Sequence, residues 1–569
     1  MTAFGIDFGT TNSVLGSFDG HSVQVVPIDD PPGEWATLGF DRLLPSVIAT
    51  TPSGNWTYGW EAKRSPTRLD AVKRLLATED SVSVGGTEIL AEEAGAALFG
   101  RIRSGAAAAG VDFDQAVVTV PANSRGVARH RTRICAGLAG IETTWLLNEP
   151  TAAAMAFANR VGGDQTVLVV DIGGGTTDVT LLQVVDGMFM EQASSGVVRL
   201  GGIDFDRAIL RNLESQIDGY EAWTEDRRQE LRLNIELAKI RLSSQADVAL
   251  QIPEVGPRRL SRHEVDRWLT PLFEKVDRPI LGVVADAGMS LSEVDHLVLI
   301  GGGSKVPALR ERIAHLVDRE PTGGVDPMTA VAEGAALAAG IISGSSGSSV
   351  HVTTEHSLGL VVADPDVGTS FSVMIERNST LPFSHTQTYV PWTDYQEEIE
   401  LIVVEGDERR PLEDEDNIVL DGWSIRLPET RTKDEAAVEV TYSYDQEGLL
   451  RIRVVDRQTD AEIDFRTIAQ VAGRDAPTLV EMHRRVEEMA AEVEPAGIPE
   501  PADPEFEIPD AVRTVLDRAR TNVMPFVSDS DAATVGELAD RLESAVGTQD
   551  QEPLKLELEQ MLRKWSYLY

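Results

Sequence analysis

"VVDIGGGTTDVTLL", from Val169 to Leu182, decides the fold class: an apolar run carries Asp171, and Gly173, Gly174, Gly175, Thr176, Thr177 and Asp178 follow it. Near the start, "GIDFGTTNS", from Gly5 to Ser13, repeats the arrangement with Asp7, Gly9, Thr10, Thr11 and Asn12. Glycines let backbone N–H groups close on phosphate oxygens, hydroxyls donate further bonds, and carboxylates hold a hydrated divalent cation. One such loop is a weak signal. Two copies, on successive halves of one α/β unit, predict a clamp that grips phosphates from opposite sides as two lobes close. The plainer reading makes Asp7 and Asp171 turn formers and lets the glycines only tighten hairpins.

A third segment, "IGGGSKVPALRERI" from Ile300 to Ile313, again follows a strand and opens a helix. In a two-lobed clamp such a turn suits a flat adenosine. "IELAKIRLSS" spaces Glu236, Lys239 and Ser243 at helical intervals on one face, a pattern that a solvated charged face shares.

Outward from these loops, Thr2 to about Ser343 alternates β-branched runs, Gly-rich turns and Ala-rich stretches, which reads as α/β with strand-turn-helix phosphate loops. The Gly/Ser run Gly344–Ser349 is the linker candidate. From Ser357 to about Ile468, alternating segments such as "EIELIVVEG" and "AVEVTYSYD" predict a β-sandwich. Helix formers return after Pro477, with a Pro-rich acidic interruption at Glu494–Pro509. Beyond it, Val512, Val515, Leu516 and Ala519 share one helical face and predict a small bundle. The expected organisation is an α/β unit at 1–343, a linker at 344–356, a β-sandwich at 357–475 and a helical bundle at 476–569.

With 569 residues the chain calls for about three domains. A net charge of −41 argues against nucleic acid, whose phosphates need a basic face. Cys135 is the single cysteine, which suits a reducing compartment. The opening MTAFGIDFGTT carries no basic and apolar leader pattern, and no membrane-length apolar run follows, so a cytoplasmic protein without membrane contact is expected.

"GIDFGTTNS", "VTVPA", "LNEPTAAAMAF", "DIGGGTTDVTL", "LGGIDFD" and "IGGGSKVP" stand in the order and at roughly the spacings of chaperones of the heat shock protein 70 (DnaK-like) family, and "SLGL" and "NSTLP" extend the resemblance into the β region. The resemblance implies an actin-like ATPase domain, a peptide-binding β-sandwich and a helical lid. It implies ATP and Mg²⁺ as cofactors, with K⁺ as an optional further ion. Unfolded or extended polypeptides are the implied clients, with a J-domain co-chaperone and a nucleotide exchange factor as further partners.

Position by position, Gly9, Thr10, Thr11 and Asn12 resemble the first phosphate loop, and Gly173, Gly174, Gly175 and Thr176 the second. Asp7, Asp171 and Asp178 resemble carboxylates that hold the metal largely through water. Lys73 resembles the lysine set against the γ-phosphate and attacking water, and Glu149 the carboxylate linking the lobes near the metal. Pro121 and Arg129 resemble a relay pair. Gly201, Gly202, Glu236, Lys239, Ser243, Gly301, Gly302 and Lys305 resemble the adenosine site. Leu360, Val362, Ala363, Tyr389, Trp392, Ile399 and Leu401 resemble the client pocket and its arch, although aliphatic residues in a sandwich also read as plain core.

The departures are specific. Family members often carry arginine at Lys305, a second basic residue at Ile240 and aspartate at Met328. The segment between Asp204 and Glu236 is short, and so is the helical end. The linker offers only Val350 and Val352 where the family has several leucine-type residues, which predicts weak interdomain coupling. An ATP-driven chaperone is the leading expectation. A small-molecule kinase sharing the phosphate loops would not need the sandwich. A nucleotide-dependent interaction protein with a dedicated partner is the second reading.

Overall fold

The computed structural model describes residues 2–122, 124, 126–344, 349–354, 356–364, 368–414, 417–427, 431–445, 450–467, 476–490, 510–543, 545 and 551–568. Most of the Gly/Ser run and the Pro-rich interruption lie outside these described residues.

The α/β portion contains two sheets of one plan. In the first, β1 (Ala3–Phe8), β2 (Asn12–Phe18) and β3 (Val23–Val26) run antiparallel in sequence, and β4 (Gln115–Val120) and β5 (Glu142–Asn148) add parallel strands beside β1. In the second, β6 (Gln165–Ile172), β7 (Thr176–Val185) and β8 (Met188–Val198) form the same antiparallel run, and β9 (His296–Ile300) lies parallel to β6. Every residue of β6 is buried, as a strand covered on both faces requires, and its Val/Leu run supplies the matching side chains.

The two glycine loops therefore join antiparallel strands. They are hairpin loops and not the expected strand-to-helix turns, because a strand follows each loop directly, β-branched after the second: Asp171 pairs with Asp178, and Asp7 with Val14. Only the third loop behaves as expected, passing from β9 through a short 3₁₀ turn into the helix Pro307–Val317.

Helices α1 (Val72–Thr78), α2 (Ala91–Ala108), α3 (Gly126–Leu138), α4 (Glu149–Val161), α5 (Gly202–Glu214), α6 (Glu225–Leu242), α7 (Pro307–Val317) and α8 (Ala330–Ile342) surround the sheets. Between the sheets, α8 lies on β1 and β2 while α4 lies on β6 and β7, and the two helices pack on each other. Small residues set this separation. A Cβ at Gly5 would fall 2.2 Å from Ala336 N, and one at Gly334 would fall 1.7 Å from Ala152 O.

Eight further strands build two four-stranded sheets: β11 (Ser357–Asp364), β12 (Gly368–Ile375), β13 (Phe383–Tyr389), β14 (Glu398–Gly406), β15 (Ile418–Arg426), β16 (Val438–Tyr444), β17 (Leu450–Asp456) and β18 (Ala461–Thr467). Their orders are β12-β11-β14-β15 and β13-β16-β17-β18. Burial alternates residue by residue along β16, the period-2 signature of a half-covered strand. Buried Tyr442 ties the sheets together, its hydroxyl donating to Gly359 O at 3.1 Å.

The polar linker does not behave as its composition predicts. Ser349–His351 forms β10, a strand parallel to β8 with Phe189 opposite Val350, and Val350 and Val352 are buried. Backbone hydrogen bonds carry this pairing, so a run of leucines is not needed to seat it.

The described helical end packs on the first lobe. Leu479, Met482 and Val486 of α9 (Ala476–Ala490) join the core formed with α2 and α3. Around them, Arg485 Nε reaches fully buried Glu93 at 2.7 Å, the Tyr58 hydroxyl donates to Met489 O at 2.8 Å, and Arg563 Nε meets Glu142 at 2.6 Å. Val512, Val515, Leu516 and Ala519 are all buried.

Because Gly334 has no room for a methyl group, Gly334→Ala must push α4 and α8 apart. A loss of about 1–3 kcal/mol is expected, read as an earlier urea midpoint for the α/β portion. An unchanged midpoint would remove this contact as the spacer of the two sheets.

Candidate functional site

Each glycine hairpin is held from behind. Ser46 braces the first: its hydroxyl donates to Gly9 O at 2.7 Å and its amide to Thr11 O at 2.8 Å. In the second, Gly173 O accepts from Gly202 N at 3.0 Å, Gly174 O accepts from Ile203 N at 2.9 Å, and Gly175 O accepts from Arg74. A planar trans peptide points its N–H opposite to its carbonyl, so fixing these carbonyls turns the following amides the other way.

The hairpins face each other so closely that a Cβ on Gly174 would lie 1.7 Å from Thr11 Oγ1, and one on Gly175 2.5 Å from Thr10 Oγ1. The Thr11 hydroxyl is buried with no hydrogen-bond partner in the protein. A donor of that kind fits a phosphate oxygen.

Beside the hairpins lies a group of acids from both lobes. Asp7 is pushed up to about 7, chiefly by burial and then by Glu149, with Lys73 and Thr119 opposing. Burial drives Asp171 well above the usual carboxylate range, and Glu149, Asp178 and Asp7 add to it. The Lys73 amine meets them, donating to Glu149 in a buried pair. This excess of buried negative charge calls for a cation. No cluster of three metal-ligating side chains occurs among the described residues. Carboxylate oxygens are donors of the kind that Mg²⁺ and its bound waters take.

The cleft continues as a cavity of about 1000 Å³ lined by Thr10, Thr11, Asn12, Gly173, Gly174, Gly202, Glu236, Lys239, Ser243, Gly302 and Lys305. The structure thus brings most of the residues expected for phosphate and adenosine contacts to one place. Gly9, Gly175, Gly201 and Gly301 sit in the adjoining turns, and Thr176 opens β7. Ile240 and Met328 also line the cavity, giving it an apolar wall.

Glu236 and Lys239 are tied into the protein as well. Lys239 Nζ donates to Gly202 O at 3.0 Å and to Asp206 at 2.7 Å, while Glu236 accepts from Lys63 at 2.9 Å. Burial raises Asp206 to about 6, against the pull of Lys239. Burial also acts on Glu236, but Lys63 and Lys239 overcome it and hold its carboxyl low.

Sequence reasoning missed Lys63, Arg74 and Ser46. Arg74 reaches across the cleft to Asp204 at 2.6 Å, 130 positions along the chain, and Lys63 to Glu236, 173 positions along. No spacing rule finds partners at such separations. Of the relay candidates, Arg129 donates to Asn148 Oδ1 at 2.9 Å and to Leu146 O at 3.2 Å. The first residue of α3 meets the β portion, where Gly126 N donates to Glu405 at 3.0 Å.

In the β portion, Leu360 and Leu401 are buried, and Val362, Tyr389 and Ile399 are half-buried against the same core. Tyr389 spans the sheets, its hydroxyl 2.9 Å from Ser372 Oγ and 3.1 Å from Met374 Sδ. Ala363 and Trp392 are exposed, and Trp392 is 61% accessible. Five of the seven client-pocket candidates thus belong to or pack on one core, and these two lie on the surface.

Two lobes of one plan with facing glycine hairpins, and a two-sheet β portion joined by a paired strand, define a two-lobed α/β protein with an attached β module. The family described as Hsp70 protein matches residues 70–567, and the chain belongs to that family, whose members are ATPases acting as ATP-dependent chaperones. The first hairpin precedes the matched residues, so its role rests on its geometry opposite Gly174 and Gly175.

Lys73→Ala is expected to leave ATP affinity within a few-fold of the parent while single-turnover hydrolysis falls about 100-fold, on the order of 3 kcal/mol of transition-state stabilisation. Rapid-quench measurement of one turnover checks it. Equal rates would take Lys73 out of the chemistry.

Proposed function

We propose that this protein hydrolyses Mg²⁺-bound ATP to control capture and release of extended apolar polypeptide segments in its β-sandwich. The observation that carries this reading is β10: the segment entering the sandwich pairs with the outer strand of the second lobe, and its Val350 is buried there. A free-standing kinase has no use for such a joint.

When bound, Mg²⁺ neutralises phosphate charge and orders water. Thr10, Thr11 and the amides of the second hairpin hold the phosphates, and the Ile240–Met328 wall packs the base. Lys73, oriented by Glu149, stabilises charge developing on the γ-phosphate. Asp7, Asp171 and Asp178 keep the metal's waters in place. Catalysis by such a site is positioning and electrostatics and needs no covalent step.

The half-buried strip of Val362, Tyr389 and Ile399 supports the peptide side of the reading, because main-chain pairing with one apolar pocket suffices to hold an extended segment. The described helical end is seated on the first lobe. A J-domain co-chaperone and an exchange factor are the partners the family implies. The single buried Cys135 suits the cytoplasm, and among the described residues no helix is long and apolar enough to cross a membrane.

Comparing ATPase rate with and without an unfolded polypeptide tests the reading, and stimulation is the expected result. Ile399→Phe should fill the strip and weaken binding of a fluorescent peptide at least 10-fold with basal ATPase unchanged. Unaltered peptide affinity would sink the pocket assignment, and no peptide response in the parent would sink the chaperone reading.

A further inference from the structure

Glu191 stands on β8, 4% exposed, and among the described residues the hydrogen bonds to its carboxylate come from neutral side chains, with Arg129 acting on it only through space. Three neutral side chains hold it. Thr151 donates to one oxygen, the Thr353 hydroxyl donates to the other at 3.0 Å, and Asn148 Nδ2 lies 3.4 Å from both. Asn148 is itself fixed from the far side by Arg129.

These partners come from two places that matter. Asn148 and Thr151 flank Glu149, the residue that holds Lys73 in the cleft. Thr353 follows β10 and is built into the root of the sandwich: it bridges Thr380, while Leu381 N donates to Val352 O at 2.9 Å and Thr354 N to Ser379 O at 3.0 Å. One buried carboxylate thus joins the start of the catalytic helix to the strand that enters the sandwich.

A buried carboxylate is sensitive to the loss of any donor, because the unpaired charge keeps its full desolvation cost. Shifting α4 moves Thr151 and Asn148, and releasing the linker removes the Thr353 hydroxyl. Each event changes what the other is worth, which is the condition for coupling. Two valines pack the linker, and the bond from the Thr353 hydroxyl to a buried carboxylate adds a polar lock.

We propose that Glu191 is a positioning residue that latches Thr353, and with it the sandwich, to the helix bearing Glu149, so that the cleft's nucleotide state is read through a polar contact. This rests on the chaperone reading given above. It assigns the coupling in this chain to the Glu191–Thr353 pair.

The test uses the full chain and a fluorescein-labelled heptapeptide of leucines flanked by arginines, with ATP-accelerated peptide release, basal ATPase and thermal unfolding measured on each preparation. Thr353→Val, which keeps the shape and removes the hydroxyl, should slow ATP-driven release at least 10-fold with basal ATPase within twofold of the parent. Thr353→Ser should restore release to at least half the parent rate. In a Glu191→Met background, Thr353→Val should change release less than twofold. The inference falls if Thr353→Val releases peptide at the parent rate, if Thr353→Ser fails to rescue, or if Thr353→Val costs the same with and without Glu191. Should Glu191→Met not fold, the Val and Ser variants at Thr353 decide alone. A parent that hydrolyses no ATP or binds no peptide sinks the chaperone reading and this latch together, whereas ATP-driven release indifferent to Thr353 sinks the latch only.

Discussion

Asp7, Asp171, Asp178 and Glu149 crowd one buried region, and they arrive from both lobes. Two unit charges about 6 Å apart in a protein interior interact by about 3 kcal/mol at an effective dielectric constant near 20. Several such repulsions exceed what one lysine returns. The elevated Asp7 and Asp171 express that imbalance: burial and the neighbouring acids favour the protonated form of these two carboxyls. A divalent ion arriving with phosphates would reverse the balance, turning a region that resists closure into one that favours it. The ties Lys63–Glu236 and Arg74–Asp204 span the same gap, so the closed lobes do not depend on the ion alone.

Closure of the cleft matters beyond the cleft because α4 and α8 sit between the two sheets with almost no slack. Gly5, Gly16 and Gly334 exist as glycines because backbone from the facing helix occupies the space a methyl group would need. Close-packed contacts of this kind transmit a displacement and do not absorb it. The N-terminal end of α4 bears both Glu149, facing the cleft, and Thr151, facing the linker side. A movement of that turn is therefore felt on both faces of the second lobe.

The loops were legible because each carries a local signature, an acid then glycines then hydroxyls, written within nine or so residues. Glu236, Lys239 and Ser243 were legible through helical spacing, and all three line the cavity. Whether a glycine loop leads into a helix or a strand was less legible, since the loop itself is the same in both cases and only the β-branched stretch after Thr176 distinguishes them. Lys63, Arg74 and Ser46 were invisible because their partners lie on the other lobe or a distant turn. The linker was misread for a different reason. Its composition is poor in leucine, but strand pairing is carried by backbone groups that every residue type possesses, so side-chain counting underrates it.

The β portion sets a limit on how a peptide could enter. Leu360 and Leu401 are buried too deeply to meet a client without rearrangement, whereas Val362, Tyr389 and Ile399 are half-buried against the same core. Tyr389 crosses from one sheet to bond Ser372 and Met374 on the other. Burial raises its hydroxyl's pKa, so it stays protonated and able to donate. Widening the strip by separating the sheets at this end breaks that tie, whereas Tyr442, bonded to Gly359 O deeper in the sandwich, holds the sheets at a second point. A sandwich pinned at two points, one half-exposed and one buried, opens more readily at the half-exposed one, where water can replace the lost hydrogen bond.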